Sequence, residues 1–101
     1  MGFVRAVLKK DLEPGKMLGI EVDGKKILLA NLAGTYYAIG NRCTHRGCML
    51  SDGKREGENI RCPCHRSVFD VKTGNVLKGP AKKPEPVFQV KVEGDQVLAN
   101  V

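Results

Sequence analysis

Tryptophan is absent from this chain, aromatic residues make up only 5% of it, and histidine occurs twice in 101 residues. No apolar run approaches the ~20 residues that cross a bilayer as a helix, so no membrane anchor is expected. The start, Met1-Gly2-Phe3-Val4-Arg5, lacks the charged and then apolar order of a secretory signal. Ala6 stands where a myristoylation signal wants Ser or Thr. The expectation is a cytoplasmic chain. No segment sustains a helical period, and no solenoid-type repeat is present. No Ser–His–Asp set or paired-carboxylate site is visible, and no third histidine is available for a second catalytic metal, so an enzyme is not expected. The formal net charge is +6. The lysines are spread along the chain, with no basic helix and no aromatic-interleaved patch, which argues against nucleic acid and for an acidic protein partner.

What is present is a series of short strands between turns. Phe3 to Lys9 alternates loosely. Met17 to Val22, Ile27 to Leu32 and Tyr36 to Ile39 read as strands. Asp23-Gly24 marks a type I′ hairpin because both residues tolerate positive φ. Ile60 to Cys62 reads as a short strand, Val68 to Val71 and Val76-Leu77 as a hairpin, and Val87 to Val92 with Gln96 to Val101 as a last one. Leu50 to Asn59 reads as polar and turn-rich. Three prolines between Pro80 and Pro86 exclude a sheet interior there. Strands of about five residues with turns every eight to twelve point to an all-β sandwich or barrel. The expected core is Val4, Leu8, Ile20, Val22, Ile27, Leu29, Tyr37, Ile39, Val90, Val92, Val97 and Leu98. One domain is expected over 1–101, with a scaffold at 1–40 and 85–101 and an inserted metal-binding subdomain at about 41–84.

All four cysteines and both histidines fall in two short boxes, Cys43-Thr44-His45-Arg46-Gly47-Cys48 and Cys62-Pro63-Cys64-His65-Arg66-Ser67. Soft ligands concentrated in two loops indicate a metal site. Three arrangements fit the residues. A zinc ion takes two Cys and two His, though not at finger spacing. A zinc ion takes all four Cys. Or a two-iron cluster takes Cys43 and Cys62 on one iron and His45 and His65 on the other.

The two boxes resemble those of Rieske iron–sulfur proteins. The resemblance extends to the sixteen residues between His45 and Cys62, to Val68-Phe69-Asp70 and Thr73-Gly74, and to the proline loop from Gly79-Pro80. It covers nearly the whole chain and implies a Rieske-like antiparallel β scaffold carrying one [2Fe-2S] cluster. It implies Cys43 and Cys62 on the inner iron, His45 and His65 on the outer iron, and a disulfide between Cys48 and Cys64. That disulfide belongs to the quinol-oxidising branch, whereas the length is that of a soluble ferredoxin. A disulfide inside a cell is normal in hyperthermophiles, so a thermophilic source is expected.

Rieske clusters have potentials of about −150 to +300 mV, against about −400 mV for plant-type ferredoxins. Ser67 matches a serine that donates to a bridging sulfide in high-potential relatives. Phe69 stands where those relatives carry a tyrosine, and it has no hydroxyl to donate. A potential in the lower or middle part of the class range is implied. Arg46 and Arg66 follow the two histidines, and Arg42, Lys82 and Lys83 lie nearby, so the tip is expected to be cationic. A glycine is usual at the place of Arg66, so a positive φ there would strain the arginine. The implied function is a soluble, monomeric one-electron carrier between a reductase and an oxygenase or other acceptor. The detached head of a quinol-oxidising subunit and the small subunit of an oxidoreductase complex are the competing readings.

Overall fold

The computed structural model describes residues 2–44, 47–64 and 66–101. His45, Arg46 and His65, singled out above, lie outside the described residues. Eleven strands are present among the described residues: β1 (Phe3–Leu8), β2 (Met17–Val22), β3 (Lys25–Leu32), β4 (Thr35–Gly40), β5 (Lys54–Glu56), β6 (Asn59–Arg61), β7 (Val68–Asp70), β8 (Val76–Lys78), β9 (Val87–Phe88), β10 (Val90–Glu93) and β11 (Gln96–Asn100). They form three antiparallel sheets, ordered β1-β11-β10, β2-β3-β4-β9 and β5-β6-β7-β8. The all-β antiparallel expectation holds.

The β2–β3 hairpin closes at Val22 opposite Lys25, leaving Asp23 and Gly24 at φ 49° and 79°. Both angles are positive, as a type I′ turn requires. The β3–β4 turn repeats the geometry with Ala33 and Gly34 at φ 55° and 94°. Here an alanine takes the left-handed conformation, and Asn31 Oδ1 accepts the Gly34 N–H at 2.8 Å.

Strand β3 is the wall that two cores share. Ile27, Leu28, Leu29 and Ala30 are all inaccessible to solvent. Successive residues of a strand face opposite sides. Ile27 and Leu29 therefore pack with Leu12, Val22, Ala38, Ala99 and Val101. Leu28 and Ala30 pack with Ile39, Leu50, Ile60, Phe69 and Val71, and also with Cys43 and Cys62. The continuous apolar run in the sequence reflects burial on both faces.

Several expectations need correction. Val87 to Val92 is not one strand. It divides at Gln89, with β9 pairing to β4 and β10 pairing to β11, so the chain passes from one sheet to another. Residues Lys54–Glu56 form β5, within a stretch read as turn-rich, because the backbone ladder to β6 needs no apolar side chain. Val92 is 43% exposed rather than part of the core. Val4, Leu8, Ile20, Tyr37 and Val90 are only partly buried. Leu12, absent from the expected core, is fully buried, and its carbonyl accepts a bond from Asn31 Nδ2 at 2.9 Å. The other expected core positions, Val22, Ile27, Leu29, Ile39, Val97 and Leu98, are buried.

Candidate metal centre

The two boxes fold into loops with one hydrogen-bond pattern. In the first, the Cys43 N–H donates to the Cys48 carbonyl at 2.7 Å and the Gly47 N–H to the Cys43 carbonyl at 2.7 Å. In the second, the Cys62 N–H donates to the Ser67 carbonyl at 2.7 Å and the Arg66 N–H to the Cys62 carbonyl at 3.1 Å. The fifth residue of each box takes a positive φ, 77° at Gly47 and 63° at Arg66. Glycine adopts that conformation freely, whereas an arginine is held there at a cost of about 1 kcal/mol. The strain raised at Arg66 from sequence is therefore present.

A disulfide joins Cys48 to Cys64, with 6.4 Å between their Cα atoms. It clasps one loop to the other. Cys43 and Cys62 take no part in it and lie at the same place in the two loops, 3% and 1% exposed. Phe69 is inaccessible and belongs to the same apolar cluster as both thiols.

Neighbouring segments hold the loops in place. Asn41 is buried; its Nδ2 donates to Ser51 Oγ at 3.0 Å, and its Oδ1 accepts the Ser51 N–H at 2.8 Å. A side chain on Gly19 would collide with this pair, so the close approach of β2 requires glycine. The proline loop covers both boxes. Thr44 Oγ1 donates to the Lys83 carbonyl at 2.7 Å, and the Thr44 N–H donates to Glu85 Oε2 at 3.1 Å. On the other side, the Ala81 N–H donates to Ser67 Oγ at 2.9 Å. Ser67 is fully buried. Its oxygen accepts from Ala81, which leaves the hydroxyl proton to be donated elsewhere.

Glu85 is only 4% exposed. Burial pushes its carboxyl up to about 7, and the bond from the Thr44 N–H acts in the opposite direction. Sequence reasoning passed over this residue. Its one signal was a carboxylate between two prolines, Pro84 and Pro86, in a loop that cannot join a sheet. Among the expected cations, Arg42, Arg66, Lys82 and Lys83 are exposed. The Arg42 guanidinium lies over Gly47, 3.4 Å from where a side chain there would begin.

Two buried thiols in matching loops, a clasp beyond them and a buried hydroxyl with its proton to give define a paired-loop metal-cluster protein. A soft, sulfur-rich two-iron group fits this donor set. The Rieske [2Fe-2S] domain family matches residues 2–96, and the chain belongs to that family. Its cofactor is one Rieske [2Fe-2S] cluster. The ferredoxin component of a naphthalene 1,2-dioxygenase system from Pseudomonas aeruginosa is 37% identical over 99 residues, covering 98% of this chain and 95% of that one. The ferredoxin of carbazole 1,9a-dioxygenase from Nocardioides aromaticivorans IC177 superposes with a TM-score of 0.92 at 32% identity, covering 98% of this chain and 97% of the other. A complex of reduced oxygenase and oxidised ferredoxin in carbazole 1,9a-dioxygenase contains a chain matching at TM-score 0.89 and 28% identity, covering 96% of this chain and 91% of that one.

Proposed function

We propose that this protein is a soluble one-electron carrier that passes electrons from a reductase to an oxygenase. The observation that carries this reading is the pair of matching loops with buried thiols beneath an exposed cationic rim. When bound, the cluster supplies reversible one-electron chemistry. Cys43 and Cys62 would hold one iron of the cluster, and His45 and His65 the other. Residues 41–84 form the cluster-binding subdomain on a scaffold of 1–40 and 85–101.

The residues around the site set its properties. Ser67, whose oxygen accepts the Ala81 N–H, would donate a hydrogen bond from its hydroxyl to a sulfide of the group and so favour the reduced state. Phe69 makes no such bond and only excludes water, which keeps the potential below that of quinol-oxidising relatives. Thr44, held by Lys83 and Glu85, fixes the first loop against the proline loop. Arg46 and Arg66 each follow a histidine in the sequence and supply positive charge for an acidic partner. The ferredoxin–oxygenase complex of the carbazole system supports this choice of partner. The carrier acts as a monomer in the cytoplasm of an organism living at high temperature. An exposed Arg66 and a buried phenylalanine in place of tyrosine disfavour docking in an apolar quinone pocket.

The test is a redox titration followed by electron paramagnetic resonance across pH. A Rieske-type signal is expected, with a potential that falls at alkaline pH as histidine ligands lose protons. A potential flat into the strongly alkaline range contradicts exposed histidine ligation.

A further inference from the structure

We propose that the groove beside the second box, bounded by Lys54, Arg61 and Arg66, seats a carboxylate-bearing acidic segment of the redox partner. This rests on the carrier reading above and gives its docking face a location. The groove encloses about 420 Å³ and is lined by these three cations, Asp52, Cys62 and Pro63 among others.

Three features of the groove work against the fold. Lys54 and Arg61 stand directly opposite each other on β5 and β6. Like charges in that relation destabilise a sheet. Arg66 is exposed and held at φ 63°, where glycine would sit without strain. Arg61 Nε is buried and has no hydrogen-bond partner among the described residues. Two carboxylates face the same cations. Asp52 lines the groove, and Glu56 accepts a bond from Arg61 Nη2 at 2.9 Å. That leaves one cation in excess, and Lys54 and Arg66 both lack an ion-pair partner among the described residues. An incoming carboxylate relieves the Lys54–Arg61 repulsion. It also brings the partner against the loop that carries Cys62. A second basic groove, at Lys25, Lys26 and Arg42, is less available. Its Lys26 is bonded to Glu21 at 3.0 Å, and Lys25 lies 5.9 Å over the Phe88 ring.

The experiment uses the cluster-loaded protein and a dye-labelled hexaglutamate peptide at low ionic strength, with affinity read by fluorescence anisotropy. Lys54→Glu is compared with Lys10→Glu, which makes the same change in net charge at the exposed Lys9–Asp11 turn. The expected result is about fivefold weaker binding or more in Lys54→Glu and less than twofold in Lys10→Glu. The unfolding midpoint of Lys54→Glu should rise, because the new carboxylate faces Arg61. Equal weakening in both variants overturns the proposal, since net charge alone then explains binding. It is equally overturned by undetectable wild-type binding, by a larger loss in Lys25→Glu than in Lys54→Glu, or by a lower midpoint in Lys54→Glu. Absence of a Rieske signal from the wild-type protein counts instead against the carrier reading.

Discussion

Glu85 makes the pH dependence of stability calculable. Its carboxyl is buried beneath the proline loop and titrates at about 7 instead of 4.5, because burial disfavours the charged form. The folded protein therefore keeps this proton over a pH range where the unfolded chain has lost it. Stability from this group is complete below pH 4.5 and is lost as pH rises through about 7. At about 1.4 kcal/mol per pH unit, the loss amounts to roughly 3 kcal/mol. Glu85→Gln removes the charge and keeps an oxygen to accept the Thr44 N–H. At pH 5 the variant should unfold higher than the wild type by only about 4 °C. At pH 8 the variant should unfold higher, by roughly 12–15 °C for a chain of this size. Thermal unfolding at a fixed scan rate measures this, and carbon-13 spectra of the labelled carboxyl locate the midpoint directly. If wild type and variant lose stability in parallel between pH 5 and 8, the buried-carboxyl argument is wrong.

Other perturbations address the cluster loops. Phe69→Tyr offers one more donor to the site; a hydrogen bond favouring the reduced form by about 1 kcal/mol raises a one-electron potential by about 40 mV. No change or a fall in a redox titration would remove Phe69 from the account. The Cys48–Cys64 disulfide closes a separation of 16 residues. By loop-closure entropy, replacing both cysteines with serine should cost the cluster-free chain roughly 3 kcal/mol. The cost should be smaller in the loaded protein, where the cluster already joins the same two loops. Denaturant unfolding of both forms checks this, and an equal loss in each contradicts a shared cross-link.

Much of the fold was legible because its signals are local. Asp23-Gly24 announced its hairpin, and the run from Ile27 announced a strand, although the burial of Leu28 and Ala30 as well as Ile27 and Leu29 was not expected. The division of Val87 to Val92 was not legible. Both halves are strand-like, and only their partners, β4 and β11, decide that the chain changes sheets at Gln89. Strand β5 was hidden for a related reason: Lys54, Arg55 and Glu56 carry no apolar alternation, and their pairing is set by β6. At the site, the box spacing revealed the ligand candidates, and the resemblance supplied the Cys48–Cys64 pairing that the structure contains. Glu85 stayed hidden because its burial depends on the proline loop folding back onto Thr44, a contact across 41 residues. The opposition of Lys54 and Arg61 likewise follows from strand register, which residue types alone do not fix.

In the proposed site two thiols and two imidazoles hold the cluster, with Cys43 and Cys62 on one iron and His45 and His65 on the other. Pulsed electron paramagnetic resonance of the reduced protein, grown with nitrogen-15 histidine, tests it most directly. Couplings from two histidine nitrogens on the reduced iron are expected, one of which disappears in His65→Cys. A reduced protein with no histidine nitrogen coupling would contradict it.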